Sequence, residues 1–137
     1  INKDYINDVK FEEFLEEELS KIQKTGFCEV LFEKEGEPVD FIEGDKKLVL
    51  IRLVQECLNN AMKHASPAMI AIKIKNQGGK MILCIEDDGE GFDMERVSQG
   101  LGLRNINSRV QAINGKVQID SGLGEGTRIE IELENDK

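Results

Sequence analysis

Gln55-Glu56-Cys57-Leu58-Asn59-Asn60-Ala61-Met62-Lys63-His64-Ala65 is the stretch on which the fold turns. Its apolar members extend a stripe of Leu50, Val54, Cys57, Leu58, Ala61 and Ala65, spaced for a helix with one buried side. Glu56, Asn60, Lys63 and His64 fall at i, i+4, i+7 and i+8 and so share the other face. Asp45 is expected to cap the helix, and Pro67, by restricting Ser66, to stop it near Ala65. A carboxylate, a carboxamide and two basic groups on one face suit a hydrated hard cation and phosphate. Such a cation takes oxygen ligands and keeps several waters. A carboxylate beside it can order or deprotonate a nucleophile, and Lys63 and His64 can offset phosphate charge. The same four residues also describe a solvated helix face with i,i+4 pairs, and alone they do not decide between the two.

Outward from this helix the chain alternates between the two periodicities. An amphipathic helix is expected from Asn7 to Lys24, with Asp8 as its cap, Phe11, Phe14, Leu15, Leu19 and Ile22 inward, and Gly26 at its end. Its acidic cluster, Glu12-Glu13 and Glu16-Glu17-Glu18, reads as the solvated side. A strand over Phe27 to Glu33, a turn at Glu35-Gly36-Glu37-Pro38 and a short extended piece from Val39 to Ile42 come next. Met69 to Lys75 alternates as a strand, with Ile70, Ile72 and Ile74 on one side. Asn76-Gln77-Gly78-Gly79 is expected to turn into Met81 to Glu86, which is apolar on both parities, as a central strand is. A helix from Leu103 to Ile113, ended by Gly115, precedes strands at Val117 to Asp120 and Thr127 to Leu133. The expected architecture is an α/β fold, a two-layer α/β sandwich: a mixed, mostly antiparallel sheet covered on one face by about three helices.

Three glycine-bearing segments remain. Asp87-Asp88-Gly89-Glu90-Gly91-Phe92 comes after the central strand, where a buried carboxylate is costly unless it is hydrogen-bonded. The exocyclic amine of adenine is a suitable donor, and Gly89 and Gly91 let backbone approach a flat base. An acidic turn or a partial calcium loop is the other reading, although the ligand pattern of an EF-hand is absent. Gly100-Leu101-Gly102-Leu103 opens a helix whose N-terminal amides can face a phosphate; alone it is weak evidence. Gly122, Gly124 and Gly126 before Thr127 are, taken alone, better read as a hairpin loop. There is no Walker-type lysine motif, and the glycines do not directly follow a strand as in a Rossmann unit.

Bulk properties narrow the field. With 137 residues, 39% of them hydrophobic and 33% charged, the chain fits one soluble domain spanning 1–137. A net charge of −9 argues against a nucleic-acid surface and opposes anionic nucleotides at long range, so an anion site here must rest on local groups. Cys28, Cys57 and Cys84 are scattered through apolar runs and are expected to be reduced thiols of a cytosolic protein. The most apolar run, Leu48 to Val54, is broken by Arg52 and too short to span a bilayer, so no direct membrane contact is expected. No signal peptide is legible. The start at Ile1 leads us to expect a piece of a longer protein, whose remainder could include a membrane anchor.

In their order and spacing, the segments around Glu56, Asp87, Gly100 and Gly122 resemble the N, G1, G2 and G3 boxes of the GHKL, or Bergerat-fold, ATPases. That superfamily holds sensor histidine kinases, type II topoisomerases, ninety-kilodalton heat-shock chaperones and mismatch-repair ATPases. The resemblance covers residues 5 to 134 and is nearest to the catalytic ATP-binding domain of bacterial sensor histidine kinases of the NarL/DesK-like group, whose short lid it shares. It implies ATP and Mg²⁺ as ligands. Asn60 would hold the metal, with Glu56 assisting attack and touching the metal only indirectly, and Lys63 and His64 near the phosphates. Asp87 would bind the adenine amine in a pocket shaped by Gly89 and Gly91. Gly100, Leu101, Gly102 and Leu103 would form the lid hinge and phosphate cradle, and Thr127 would support Asp87, through water. Asp88 stands where the family often has asparagine, and its role is left open.

The same resemblance implies transfer of the γ-phosphoryl to a histidine on a separate dimerisation domain, and relay to a response regulator. His64, the single histidine, belongs to the N box, so the phosphoacceptor is expected outside this chain. An anti-sigma-factor-type serine/threonine kinase and a non-catalytic nucleotide-binding module share the fold and are the alternatives. Disorder is expected near Glu95 to Gly100 in the nucleotide-free protein.

Overall fold

A computed structural model describes residues 8–65, 67–91 and 103–135, with backbone alone at 64, 65 and 103–105. Helix α1 (Phe11–Thr25) leads into β1 (Glu29–Gly36), and α2 (Gly44–Asn60) runs into a π-helical turn (Ala61–Ala65). Strands β2 (Met69–Gln77) and β3 (Lys80–Asp87), helix α3 (Leu103–Ala112), and strands β4 (Lys116–Gly122) and β5 (Gly126–Glu134) complete the described chain. Gly100, Leu101, Gly102, Phe92 and the segment expected to be disordered, Glu95 to Gly100, lie outside the described residues.

The five strands are ordered β1-β2-β3-β5-β4. The pair β1–β2 is parallel, and the other three are antiparallel. Strand β3 is central, which is why Met81 to Glu86 carries apolar residues on both parities. Across the register Phe32 meets Ile72, Ile72 meets Ile85, Ile85 meets Ile129 and Ile119 meets Ile129. These rows point to one side of the sheet, where Phe11, Phe14, Leu15, Leu19 and Ile22 of α1, Leu50, Ile51, Leu53, Val54, Cys57 and Leu58 of α2, and Ile106 and Val110 of α3 close a single core. The opposite face carries Lys73, Glu86, Arg128 and Glu130, tied by ion pairs of 3.7 Å (Lys73–Glu86), 3.4 Å (Arg128–Glu86) and 3.0 Å (Arg128–Glu130). The structure is therefore the two-layer α/β sandwich expected, with the three described helices on one face of a mixed sheet.

Several boundaries move, each for a local reason. Helix α1 starts at Phe11, not near Asn7 with Asp8 as cap, because Lys10 is extended and Val9 is drawn into the core. Asp45 does not cap α2. Glu43 is the extended N-cap, and left-handed Gly44 turns the chain in one residue earlier. Strand β1 runs on through Gly36, and Val39 to Ile42 forms no strand. The β2–β3 turn is Gly78-Gly79 alone, both at positive φ, as two-residue hairpins require. Asn76 instead lies buried within β2, and its Nδ2 donates to the Pro38 carbonyl at 2.9 Å. Glu12 leaves the solvated acidic face: its Oε1 accepts the Val39 N–H at 2.6 Å, and Oε2 pairs with Lys34 at 3.4 Å, fastening α1 to the loop after β1.

Candidate nucleotide site

Helix α2 enters the site with its apolar stripe fully engaged. Leu50, Val54, Cys57, Leu58 and Ala61 are buried against the sheet, so Glu56 and Asn60 are held half-buried on the adjoining side. After Asn60 the α-helical ladder loosens. The Ala61 N–H is shared between the Cys57 and Leu58 carbonyls, and residues Ala61–Ala65 form a π turn. Such turns insert extra backbone into a helix, often at functional sites, and rotate the residues beyond them relative to the α-helical turns before. The single α-helical face expected for Glu56, Asn60, Lys63 and His64 therefore does not continue past Asn60. Lys63 is exposed, and the side chain of His64 lies outside the described residues.

Asp87 ends β3, half-buried, and its Oδ1 accepts the Gly89 N–H at 2.9 Å. Burial pushes its carboxyl above the usual carboxylate range, with Asp88 adding in the same direction and the Gly89 bond opposing both. The turn after Asp87 is seated directly on the β4–β5 hairpin. The Gly124 N–H donates to the Glu90 carbonyl at 2.6 Å. A Cβ at Gly91 would collide with the Gly122 carbonyl oxygen, and one at Gly126 with that of Asp87. Both glycines have positive φ, 65° and 78°. Backbone lies on backbone here with no room for a side chain, so the two glycine segments read separately in the sequence are one device.

Asp87 and Thr127 face each other in the β3–β5 register. The Thr127 hydroxyl sits 2.9 Å from that of Ser121, which in turn lies 2.9 Å from the Gly126 carbonyl and donates to it. An open cleft of about 480 Å³ at this end of the sheet takes in Asp87, Ser121, Gly126 and Thr127, a size within the usual range for small-ligand sites of roughly 300–1,000 Å³. Its described walls also carry Asp120, Glu125 and, from the sheet face opposite the helices, Glu86 and Arg128.

Asp88 receives its role from the structure. The carboxylate Oδ1 accepts the N–H groups of Ala68 at 2.8 Å and Met69 at 2.9 Å, tying the start of β2 to the end of β3. An asparagine Oδ1 can accept the same two bonds. Two further residues were not singled out in the sequence. Ser121 orients Thr127 as described, and Arg109 of α3 donates from Nη1 to Glu56 Oε2 at 2.6 Å. No local pattern marks Arg109, whose partner lies 53 residues away in the sequence. Gly89 is buried beside Asp87, and Leu103 opens α3, its side chain outside the described residues.

A magnesium ion fits Asn60 as a single half-exposed carboxamide. Among the described residues no group of three or more His, Cys, Asp or Glu side chains could cage a metal, and Mg²⁺ is characteristically held by few protein groups, with water and substrate phosphates completing its shell.

The sequence profile of the histidine kinase-, DNA gyrase B- and HSP90-like ATPases matches residues 45–137. The chain belongs to this family. Membership carries ATP as the nucleotide of the site. Among curated relatives, the sensor histidine kinase ComP of Bacillus subtilis (strain 168) is 39% identical over 93 residues, 66% of this chain and 12% of that protein. DegS of the same organism, a signal transduction histidine-protein kinase/phosphatase, is 36% identical over 91 residues, 64% of this chain and 24% of that protein. This ATPase chain thus spans between about an eighth and a quarter of the length of these relatives. Among solved structures, the histidine kinase domain of the Erythrobacter litoralis EL346 blue-light activated kinase superposes with a TM-score of 0.72 at 24% identity, over 94% of this chain and 63% of that one. The mycobacterial sensor histidine kinase MprB superposes at 0.67 with 21% identity, over 92% and 95% of the two chains. At these identities the superpositions establish the ATPase fold. Among the described residues no helix is long and apolar enough to cross a membrane.

Proposed function

We propose that residues 1–137 act as the catalytic ATP-binding domain of a two-component sensor histidine kinase of the NarL/DesK-like group, working on the cytoplasmic side. The domain transfers the γ-phosphoryl of Mg-ATP to a histidine on a separate dimerising domain, which passes it to a response regulator. The observation that carries this reading is the seat of Asp87. A half-buried carboxylate, fixed by the Gly89 amide and walled by backbone at Gly91 and Gly126, leaves acceptor capacity for the amine of a flat base. The likeness to ComP and DegS supports the kinase assignment over other members of the family.

Each residue then has a chemical task. Asp87 selects adenine by accepting its amine, with Thr127 and Ser121 holding the strand opposite. Asn60 is the protein ligand of Mg²⁺, which when bound neutralises and orients the phosphates. Lys63, His64 and the amides of Gly100, Leu101, Gly102 and Leu103 at the α3 entrance take the phosphate tail. Glu56 orders the attacking imidazole and receives its N–H proton as the N–P bond forms. The P–O bond to ADP breaks in that step, and its electron pair leaves on ADP. Positioning and charge neutralisation supply most of the catalysis in such transfers.

Calorimetric titration with ADP and ATP, with and without Mg²⁺, tests the reading. Binding that weakens in Asp87→Asn and changes its Mg²⁺ dependence in Asn60→Asp is expected. Wild-type protein that binds neither nucleotide at millimolar concentration would overturn it.

A further inference from the structure

Arg109 lies in none of the four glycine- or asparagine-bearing segments, yet it makes the closest polar contact to a residue assigned to the chemistry. Its Nη1 donates to Glu56 Oε2 at 2.6 Å, joining α3 to α2 across 53 residues of sequence. The two side chains are 45% and 31% exposed. A pair this open to solvent contributes little to stability, so folding energy is a poor account of it. Geometry is a better one. A carboxylate on a glutamate side chain has three rotatable bonds, and on a half-exposed helix face nothing else among the described residues holds that of Glu56. The guanidinium presents its donors in a rigid planar fork, and a charge-assisted bond to one oxygen fixes the direction of the other. With Oε2 engaged by Arg109, Oε1 stays open to a nucleophile. Arg109 itself stands on α3, which is anchored in the core by Ile106, Val110 and, just beyond its end, Ile113.

We propose that Arg109 is a positioning residue for phosphoryl transfer: from α3 it holds the Glu56 carboxylate in the orientation from which Oε1 meets the attacking imidazole. This rests on the role given to Glu56 under the proposed function. Arg109 acts through that carboxylate and touches neither nucleotide nor acceptor.

The test is autophosphorylation of the full-length kinase that carries this domain, with kcat and the KM for ATP measured separately for R109Q, R109K, E56Q and the E56Q/R109Q double variant. A misdirected catalytic group typically costs roughly ten- to a hundred-fold in rate. R109Q is expected to lose that much in kcat with the KM for ATP and the thermal midpoint unchanged. R109K, which keeps the charge but not the fork, is expected to regain part of the rate. In the E56Q background R109Q is expected to cost nothing further, because there is no carboxylate left to aim. Wild-type kcat in R109Q would overturn the proposal. So would a raised KM with intact kcat, which would make Arg109 a nucleotide contact, or an equal loss with and without Glu56. If R109Q lowers the thermal midpoint, the comparison of R109K with wild type decides, and unchanged kcat in R109K at a lowered midpoint in R109Q would mean a structural pair only. A fully active E56Q would instead remove the role of Glu56, an outcome distinct from an inactive E56Q beside an unaffected R109Q, which removes Arg109 alone.

Discussion

Asp87 is subject to two opposing demands. Burial favours its neutral form and lifts its pKa above the ordinary value of 3.8, whereas an amine donor on a ligand favours the carboxylate. That opposition sets the sign of the pH dependence. For the unliganded fold, a raised carboxyl pKa contributes stability that is complete below the ordinary value and is lost as pH rises through the folded value. For the nucleotide complex the order reverses, and affinity is expected to fall on acidification, beginning at a higher pH than an ordinary carboxylate would give. Asp87→Asn separates the two effects. Its Oδ1 still accepts the Gly89 N–H, so the thermal midpoint at pH 7 should stay the same or rise. Nucleotide affinity should drop by roughly ten- to a hundred-fold, since a hydrogen bond to a charged group is typically worth about 1.5–3 kcal/mol. Calorimetry from about pH 3.5, below the ordinary carboxylate values of roughly 3.9–4.3, up to about pH 8 checks both. A variant whose affinity equals the wild type's at neutral pH would remove Asp87 from the base pocket. Asp88 should behave differently, because its contacts are with the protein. Asp88→Asn is expected to be neutral, whereas Asp88→Ala frees the Ala68 and Met69 amides to solvent and should cost about 1 kcal/mol in urea unfolding. Cys57 is simpler still. Burial pushes its thiol up to about 12, so iodoacetamide at pH 8 should leave it unmodified in the native protein and label it once unfolded.

At the level of elements, the part most specific to this fold is the contact between the Asp87 turn and the β4–β5 hairpin. The hairpin carries an internal comparison. Gly124 and Gly126 both have positive φ, 77° and 78°, but a Cβ at Gly124 meets nothing within 4 Å, whereas one at Gly126 would strike the Asp87 carbonyl. Gly124→Ala should therefore cost only the left-handed backbone penalty of about 1–2 kcal/mol. Gly126→Ala adds a collision with immovable backbone and is expected to cost clearly more, and to weaken nucleotide binding because it displaces Asp87. Equal thermal midpoints and equal ADP affinities for the two variants would refute the packing account. The same contact shows what a sequence can and cannot disclose. Helical spacing, alternation and, for β3, a run apolar on both parities were enough to find the three described helices and all five described strands, because each of these patterns is local. Which glycine meets which carbonyl depends on register between strands roughly forty residues apart, and no window of sequence holds that. The π turn was hidden for a related reason. Ala61 to Ala65 is helical by composition, and nothing in these residue types marks the switch from α to π bonding. Arg109 was invisible because the guanidinium and its carboxylate sit on different helices. The caps failed at Asp8 and Asp45, where an extended Lys10 and a left-handed Gly44 set the helix starts instead.

For the molecule as a whole, the strand order β1-β2-β3-β5-β4, with its one parallel pair, explains how the site comes to lie where it does. Strand β3 is central and ends at Asp87, so the proposed base pocket lies at the end of the most constrained strand. Its neighbours β2 and β5 supply Asp88's partners and Thr127 directly. The proposed base pocket thereby stands beside two helices, α2 and α3, joined by the Arg109–Glu56 contact. The electrostatics of the whole run against this local design. The chain carries a formal charge of −9, and the described cleft beside Asp87 is itself predominantly acidic. An anionic nucleotide approaching from solvent is therefore repelled at long range and rewarded only on contact. Salt screens the first effect far more than the second, because the Debye length shrinks from about 30 Å at 0.01 M to about 8 Å at 0.15 M ionic strength. The association rate of Mg-ATP is accordingly expected to rise over that interval, while the dissociation rate, set by Asp87 and the phosphate ligands at close range, changes little. Stopped-flow binding of a fluorescent ATP analogue at the two ionic strengths measures both. An association rate that falls with salt would mean that the cations near the phosphate tail, Lys63 among them, focus the field at the site strongly enough to outweigh the charge of the whole domain.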